Sequence, residues 1–329
     1  MKLLMPKRAL RVALAIIAIA VAPVAPARAD WPERPISLLM PYVAGGATDI
    51  AVREIARKMS DDLRQPIIVE NKPGAGTMLA AQMVARAKPD GYTLLVTTGA
   101  NMITGPMLAK TPIFDPEKDI TPVALLSVNP LVLVASKASG ITSLSGLIAQ
   151  AKARPGQLAI GSYGVGTPPH LAIELMKMRF GIDIIHVPYN GSNPAMIDLR
   201  GGRIPVLMDF LPSQVRTITD GEVVGLAIGQ KTRSTLVPQV PTFDEAGMAG
   251  MEITTFFGIA APVGTAPAIL ERISEAARRA LEDPGLRQSA ESRGLTLVHA
   301  NPAAFAQALQ RERALAATII KTAGIENVE

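Results

Sequence analysis

The sequence predicts an α/β protein made of two lobes, each a mostly parallel sheet flanked by helices, with the chain crossing between the lobes twice. Three observations carry that prediction. Short runs rich in Val, Ile and Leu alternate with helical patterns, as repeated βα units require. The roughly 300 residues from Asp30 onward are more than one core comfortably holds. Two apolar runs, Pro122 to Ser136 and Phe256 to Ala261, fall where such a chain would leave its first lobe and return to it. No repeat of the solenoid kind is present.

The first 29 residues read as a leader rather than as part of the fold. Lys2, Lys7, Arg8 and Arg11 make a basic start, Val12 to Val21 is uninterrupted apolar chain, and Pro23 and Pro26 precede a small-x-small site, Ala27-Arg28-Ala29. The apolar run is shorter than the roughly 20 residues a bilayer span needs. A secretory signal cleaved after Ala29 is the expectation, and with it a periplasmic location. The leader also holds five bases and no acid. Removing it takes 33 Lys+Arg to 28, level with 28 Asp+Glu, so the net charge of +5 belongs to the leader. A neutral mature chain gives no electrostatic reason to expect nucleic acid or an anionic membrane as partner.

From there the elements follow in order. Ile36 to Tyr42 reads as a strand, and Asp49 to Leu63 as a helix with Val52, Ile55, Ala56, Met59 and Leu63 on one face. Ile67 to Val69 is a short buried strand ended by Asn71-Lys72-Pro73-Gly74, and Thr77 caps a helix carrying Leu79, Met83 and Val84. Tyr92 to Thr97 is a strand. Pro122 to Ser136 is long for one strand, and Pro130 divides it at the first crossing. In the second lobe, Ser143 to Ala153 is helical, Leu158 to Gly161 a strand and Thr167 to Phe180 a helix. His186 to Tyr189 ends a strand, Asn193-Pro194 opens a short helix that stops at Gly201-Gly202, and Val206 to Met208 and Val224 to Ile228 are strands. Phe256 to Ala261 returns the chain to two long helices, Pro267 to Glu282 and Pro302 to Thr322. The lobes are therefore expected at 30–130 with 256–329, and at 131–255.

Two strand-to-helix turns carry the chemistry. Ser162-Tyr163-Gly164-Val165-Gly166-Thr167-Pro168-Pro169-His170 runs from a strand into a helix, with Thr167 placed to cap it and Pro168 at its first position. Pro41-Tyr42-Val43-Ala44-Gly45-Gly46-Ala47-Thr48-Asp49 repeats the construction. Such turns aim backbone N–H groups outward at the positive end of a helix dipole, which seats a carboxylate or phosphate. Neither turn contains Lys or Arg, so N–H groups, hydroxyls and helix starts must do the binding.

Competing chemistries fit poorly. With no Cys, there is no disulfide, thiolate metal site or Cys nucleophile. His170, His186 and His299 are the only imidazoles and show no metal-ligand spacing. The Gly164-x-Gly166 pair lacks the third glycine of a dinucleotide fingerprint. A serine hydrolase would place Ser162 in a Gly-x-Ser-x-Gly frame, which Gly161-Ser162-Tyr163-Gly164 does not supply. Aromatic residues are scarce at 4%, which argues against stacking platforms for nucleic acids. No enzyme activity, cofactor or metal is expected.

Ordered blocks along nearly all of the chain beyond the leader resemble the extracytoplasmic solute-binding receptors of the tripartite tricarboxylate transporter family, the Bug proteins. They are Trp31-Pro32-Glu33-Arg34-Pro35, Pro41 to Asp49, Val69-Glu70-Asn71-Lys72-Pro73-Gly74-Ala75-Gly76 and Lys88-Pro89-Asp90-Gly91-Tyr92-Thr93-Leu94-Leu95 in the first half. Ser162 to Leu171, His186-Val187-Pro188-Tyr189-Asn190-Gly191, Val240-Pro241-Thr242-Phe243-Asp244-Glu245-Ala246-Gly247 and Phe257-Gly258-Ile259-Ala260-Ala261-Pro262 follow in the second. The resemblance implies a two-lobed periplasmic binding fold, type II-like, that closes on a small carboxylate. It implies that Tyr42, Ala44, Gly45, Gly46, Thr48 and Asp49 with Ser162, Tyr163, Gly164, Gly166, Thr167 and His170 surround one carboxylate, partly through water. Ala100, Asn101, Tyr189, Asn190, Asp209 and Phe257 are assigned to the far end of the ligand. Departures from the family pattern are Tyr42 where Phe is frequent, Ala47 where Pro is frequent, Thr98 to Met102, and Phe256 where Trp is common.

The expectation is a monomeric receptor that captures a mono- or dicarboxylate, aromatic acids and amino acids included, and hands it to integral-membrane transporter subunits. Hinges would lie near Val128–Leu133 and Thr255–Gly258. If Asp209 faces the cleft, it disfavours a second carboxylate there. Presentation of the ligand to a sensor kinase is the alternative with the same fold, and a secreted hydrolase the remote one.

Overall fold

A computed structural model describes residues 31–325, apart from Asn190, Glu252 and Ile253. The predicted leader lies outside the described residues. Arg34 begins the compact unit to which the elements below belong. In chain order they are β1 (Ile36–Met40), α1 (Ala47–Leu63), β2 (Ile67–Asn71), α2 (Met78–Ala85), β3 (Thr93–Thr98), α3 (Gly105–Leu108) and β4 (Ile120–Ser136). Next are α4 (Leu144–Ala153), β5 (Ala159–Ser162), α5 (Pro168–Phe180), β6 (Ile185–Pro188), α6 (Ser192–Arg200), β7 (Val206–Phe210) and α7 (Leu211–Thr219). Then come β8 (Val223–Ile228), β9 (Thr254–Pro262), α8 (Pro267–Leu281), α9 (Pro284–Glu291), β10 (Leu297–Ala300) and α10 (Pro302–Ala323).

The strands run in the order β2-β1-β3-β9-β4-β7-β5-β6, with β8 and β10 also pairing to β4. Parallel pairing holds for β1 with β2 and β3, and for β5 with β6 and β7. The pairs made by β4 and β9 are antiparallel, because these strands carry the chain in opposite directions between the two parallel sets. β4 is one continuous strand of 17 residues rather than two pieces. Its partner changes at the predicted division: Pro130 lies opposite Thr254 of β9, and Leu131 opposite Phe210 of β7. A proline has no N–H to give to a ladder, so a change of partner is a natural place for it.

Packing explains where local patterns mislead. Val52, Ile55, Ala56, Met59 and Leu63 of α1 are all buried, as the helical period requires. β2, expected to be buried, is the edge strand, and Ile68 is 51% exposed. In α2 it is Met78, Ala80, Ala81 and Val84 that are buried, while Leu79 and Met83 turn outward. Thr77 does not cap that helix: it sits at φ 79° with its hydroxyl buried and unpartnered. The helices α7 and α9 and the strand β10 are not among the elements the sequence predicts. They are short, and β10 is held by antiparallel pairing to Leu125–Ser127 of β4, a contact no local pattern announces.

Candidate ligand-binding site

A cavity of about 320 Å³ opens beside the point where β4 changes partners. The β1–α1 loop contributes Tyr42, Val43, Gly46, Thr48 and Asp49, and the ends of β3 and β5 contribute Thr98 and Tyr163. Gly191 and Ser192 open α6, while Phe210, Pro212 and Ser213 open α7. Asn129 of β4, Thr255 to Phe257 of β9, and Leu295 complete the wall.

Three helices therefore begin at this cavity. Their N-cap residues, Gly46, Gly191 and Phe210, receive no side-chain capping bond. The first N–H groups of a helix have no intrahelical partner and carry the positive end of its dipole. No Lys or Arg lines the cavity. An anion held there would be held by N–H groups and by the hydroxyls of Thr48, Ser192 and Ser213.

The two carboxylates nearby have structural duties. Asp49 accepts from the Gly45 N–H and Arg53 Nε at 3.0 Å each, and from the Asn71 amide at 2.8 Å. The same amide donates to the Tyr42 carbonyl, so Asp49 and Asn71 fold the β1–α1 loop into shape. Burial pushes the Asp49 pKa up, but the bonds from Arg53, Gly45 and Asn71 outweigh it and hold the group below its ordinary value. Asp209 is wholly buried behind the wall. It accepts from Ser192 Oγ at 2.5 Å, Gln214 Nε2 at 2.6 Å and the Phe210 N–H at 2.7 Å. It thus ties the starts of α6 and α7 together and is not among the residues that line this cavity; burial pushes its pKa up.

The remaining predicted residues fall into separate places. Tyr42, Gly46, Thr48, Asp49, Tyr163 and Phe257 meet at the cavity; Ala44 and Gly45 lie in the same loop without lining it. The Tyr42 hydroxyl is engaged with Thr98. Ala100, Gly166 and Thr167 line a neighbouring cavity of about 300 Å³, away from Tyr163. Thr167 is the N-cap of α5 but does not cap it with its side chain, because its hydroxyl turns back to the Gly164 carbonyl at 2.7 Å. His170 Nδ1 accepts from the Gly166 N–H instead. Ser162 is fully buried and hydrogen-bonded to His186 Nε2 at 2.7 Å, with the His186 ring stacked on His170 at 3.9 Å. Asn101 is buried against Thr98 N–H and the Val96 carbonyl. Tyr189 donates to Asp198 at 2.9 Å, and Asn190 lies outside the described residues.

Lining residues that sequence reasoning missed include Asn129, Ser192, Phe210 and Ser213. A signal for two of them was present. Phe210-Leu211-Pro212 is a strand end running into a proline in the first helical turn, the same arrangement as Thr167-Pro168.

Fold and cavity define an α/β ligand-binding protein of the periplasmic type. Residues 51–325 match the sequence profile described as the tripartite tricarboxylate transporter family receptor, and the chain belongs to that family. It is 36% identical to Protein BugT of Bordetella pertussis over 294 residues, covering 88% of this chain and 90% of that one. Among solved structures it resembles Rpa4515 of R. palustris with adipate, at 32% identity and TM-score 0.83, covering 91% of this chain and all of that one. It also resembles MatC (Rpa3494) from Rhodopseudomonas palustris with bound malate, at 31% identity and TM-score 0.78, covering 88% and 100%. The family consists of solute-binding receptors, so the chain is a receptor and not an enzyme. Among the described residues, no helix is long and apolar enough to cross a membrane.

Proposed function

We propose that this receptor works as a monomer in the periplasm, captures a small organic carboxylate in the 320 Å³ cavity, and delivers it to integral-membrane transporter subunits. The observation that carries the reading is the convergence of three helix starts without side-chain caps on a cavity without Lys or Arg. Charge-assisted hydrogen bonds to such N–H groups contribute roughly 1.5–3 kcal/mol each, enough for capture yet compatible with release. Bound adipate and malate in similar structures support the same ligand chemistry.

In this reading Tyr42, Gly46, Thr48, Tyr163 and Phe257 touch the ligand. Asp49 holds the β1–α1 loop from within the wall, Asp209 shapes the site from behind, and Gly164, Gly166 and Thr167 support the adjoining wall. The lobes are 30–130 with 256–329, and 131–255. The change of β4 partner between Pro130 and Leu131, beside the start of β9, supports hinges at Val128–Leu133 and Thr255–Gly258.

A thermal-shift screen of the chain from Asp30 onward tests the ligand class, because a ligand that binds only the folded state must raise Tm. Carboxylic acids are expected to raise it and their amide counterparts are not. A shift from neutral sugars but from no acid would refute the reading. Fractionation of cells carrying a tagged copy checks the location: the tag belongs in the periplasmic fraction.

A further inference from the structure

The walls of the cavity narrow the ligand further than its helix starts do. The chain has only twelve aromatic residues (one Trp, four Tyr and seven Phe), yet five of them, Tyr42, Tyr163, Phe210, Phe256 and Phe257, line this cavity. The neighbouring cavity with Gly166 and Thr167 has none. These rings are held in place: Tyr163 and Phe210 stand 4.9 Å apart between centroids, and Phe256 meets Phe305 edge-on at 5.6 Å. Rings fixed in this way offer faces and edges on which a flat apolar body gains beyond its buried area.

Two further observations point the same way. The Tyr163 hydroxyl is buried, yet it has no hydrogen-bond partner among the described residues. A buried hydroxyl donor in a binding wall costs free energy unless a ligand completes it. Charge sets a limit on the ligand as well. Asp49 is in the wall with its charge taken up by Arg53, and no Lys or Arg lines the cavity. A second or third ligand carboxylate would find no cationic side chain there to pair with it.

We infer that the ligand is an aromatic monocarboxylate, with its ring among Tyr42, Tyr163, Phe210 and Phe257 and with Tyr163 donating a hydrogen bond to it. This inference rests on the carboxylate-receptor reading above and names the acid's class.

Isothermal titration at pH 7 with benzoate, malate, citrate and benzamide, on the native sequence and on Tyr163→Phe, tests it. Benzoate is expected to bind at least about tenfold more tightly than malate or citrate, and Tyr163→Phe to weaken benzoate by about tenfold while the free protein's Tm holds or rises. Tighter binding of malate or citrate than of benzoate overturns this inference and leaves the carboxylate reading standing. Benzamide binding as tightly as benzoate, or no binding of any acid, overturns the carboxylate reading itself. Unchanged benzoate affinity in Tyr163→Phe removes Tyr163 from the ligand's partners.

Discussion

Asp49 shows how a residue can sit in a binding loop and serve its architecture. Its two oxygens take up the Gly45 N–H, Arg53 and Asn71, and the loop that opens α1 is folded around them. Asp49→Ala is expected to destabilise the fold by about 1 kcal/mol, since it removes the acceptor that joins the Gly45 N–H, Arg53 and the Asn71 amide. Urea denaturation measures this, and a change below about 0.5 kcal/mol would mean that water replaces the carboxylate freely. Asp209 plays the corresponding part between α6 and α7. Sequence reading assigned both carboxylates to the ligand. It could not tell lining from supporting roles, because that depends on which way a side chain turns after a strand end. The same limit applies to Ser162, which lies in the predicted turn but spends its hydroxyl on His186.

At the scale of single elements, the helix starts divide into seats and scaffolds. Gly46, the N-cap of α1, has φ −75° and open space where a Cβ would stand. Gly46→Asp therefore fits without strain, and its carboxylate can cap the helix while occupying the place proposed for the ligand's own. Tm should hold or rise, and binding of carboxylic acids should fall more than about tenfold. Unchanged binding by a folded Gly46→Asp protein would remove the α1 start from the site. Gly166 behaves in the opposite way. Its φ is 75°, and a Cβ there would come within 2.4 Å of Leu108 Cδ1. Gly166→Ala should cost about 2 kcal/mol through left-handed strain and overpacking, read as a lowered Tm. Both glycine turns were legible in the sequence as strand-to-helix junctions. The start of α7 went unread, although its Pro212 gives the same signal, because a strand-to-helix junction without glycine looks like continuous apolar chain.

For the molecule as a whole, alternating patterns sufficed to predict α/β architecture, and Pro130 marked where β4 changes partner. Edge position, strand direction around β4 and β9, and the pairing of β10 are long-range outcomes that no window of sequence contains. The histidines add a property of the whole fold. Burial lowers the pKa of His170 to about 4 and of His186 to about 3, and lowers that of His299 too. A folded pKa below the unfolded value of 6.5 means that the unfolded chain takes up protons first as the pH falls. Stability is therefore full above about pH 6.5 and declines toward pH 4.5, by at most about 1.4 kcal/mol per pH unit for each histidine and less for the partly exposed His186. Carboxylates held below their ordinary values, such as Asp49 and Glu54, add to the loss only at lower pH. Chemical denaturation from pH 7 to 4.5 should show this slope, and His170→Gln with His186→Gln should flatten it. An unchanged slope in that double variant would assign the acid sensitivity elsewhere.

The most direct test of the central claim is a crystal structure of the receptor with a carboxylic acid bound. The account predicts the acid in the cavity of Tyr42, Tyr163 and Phe257, with its carboxylate oxygens within hydrogen-bond distance of N–H groups at the starts of α1, α6 or α7 and no Lys or Arg touching it. A carboxylate paired with an arginine or lysine, or seated in the neighbouring cavity of Gly166 and Thr167, would contradict it.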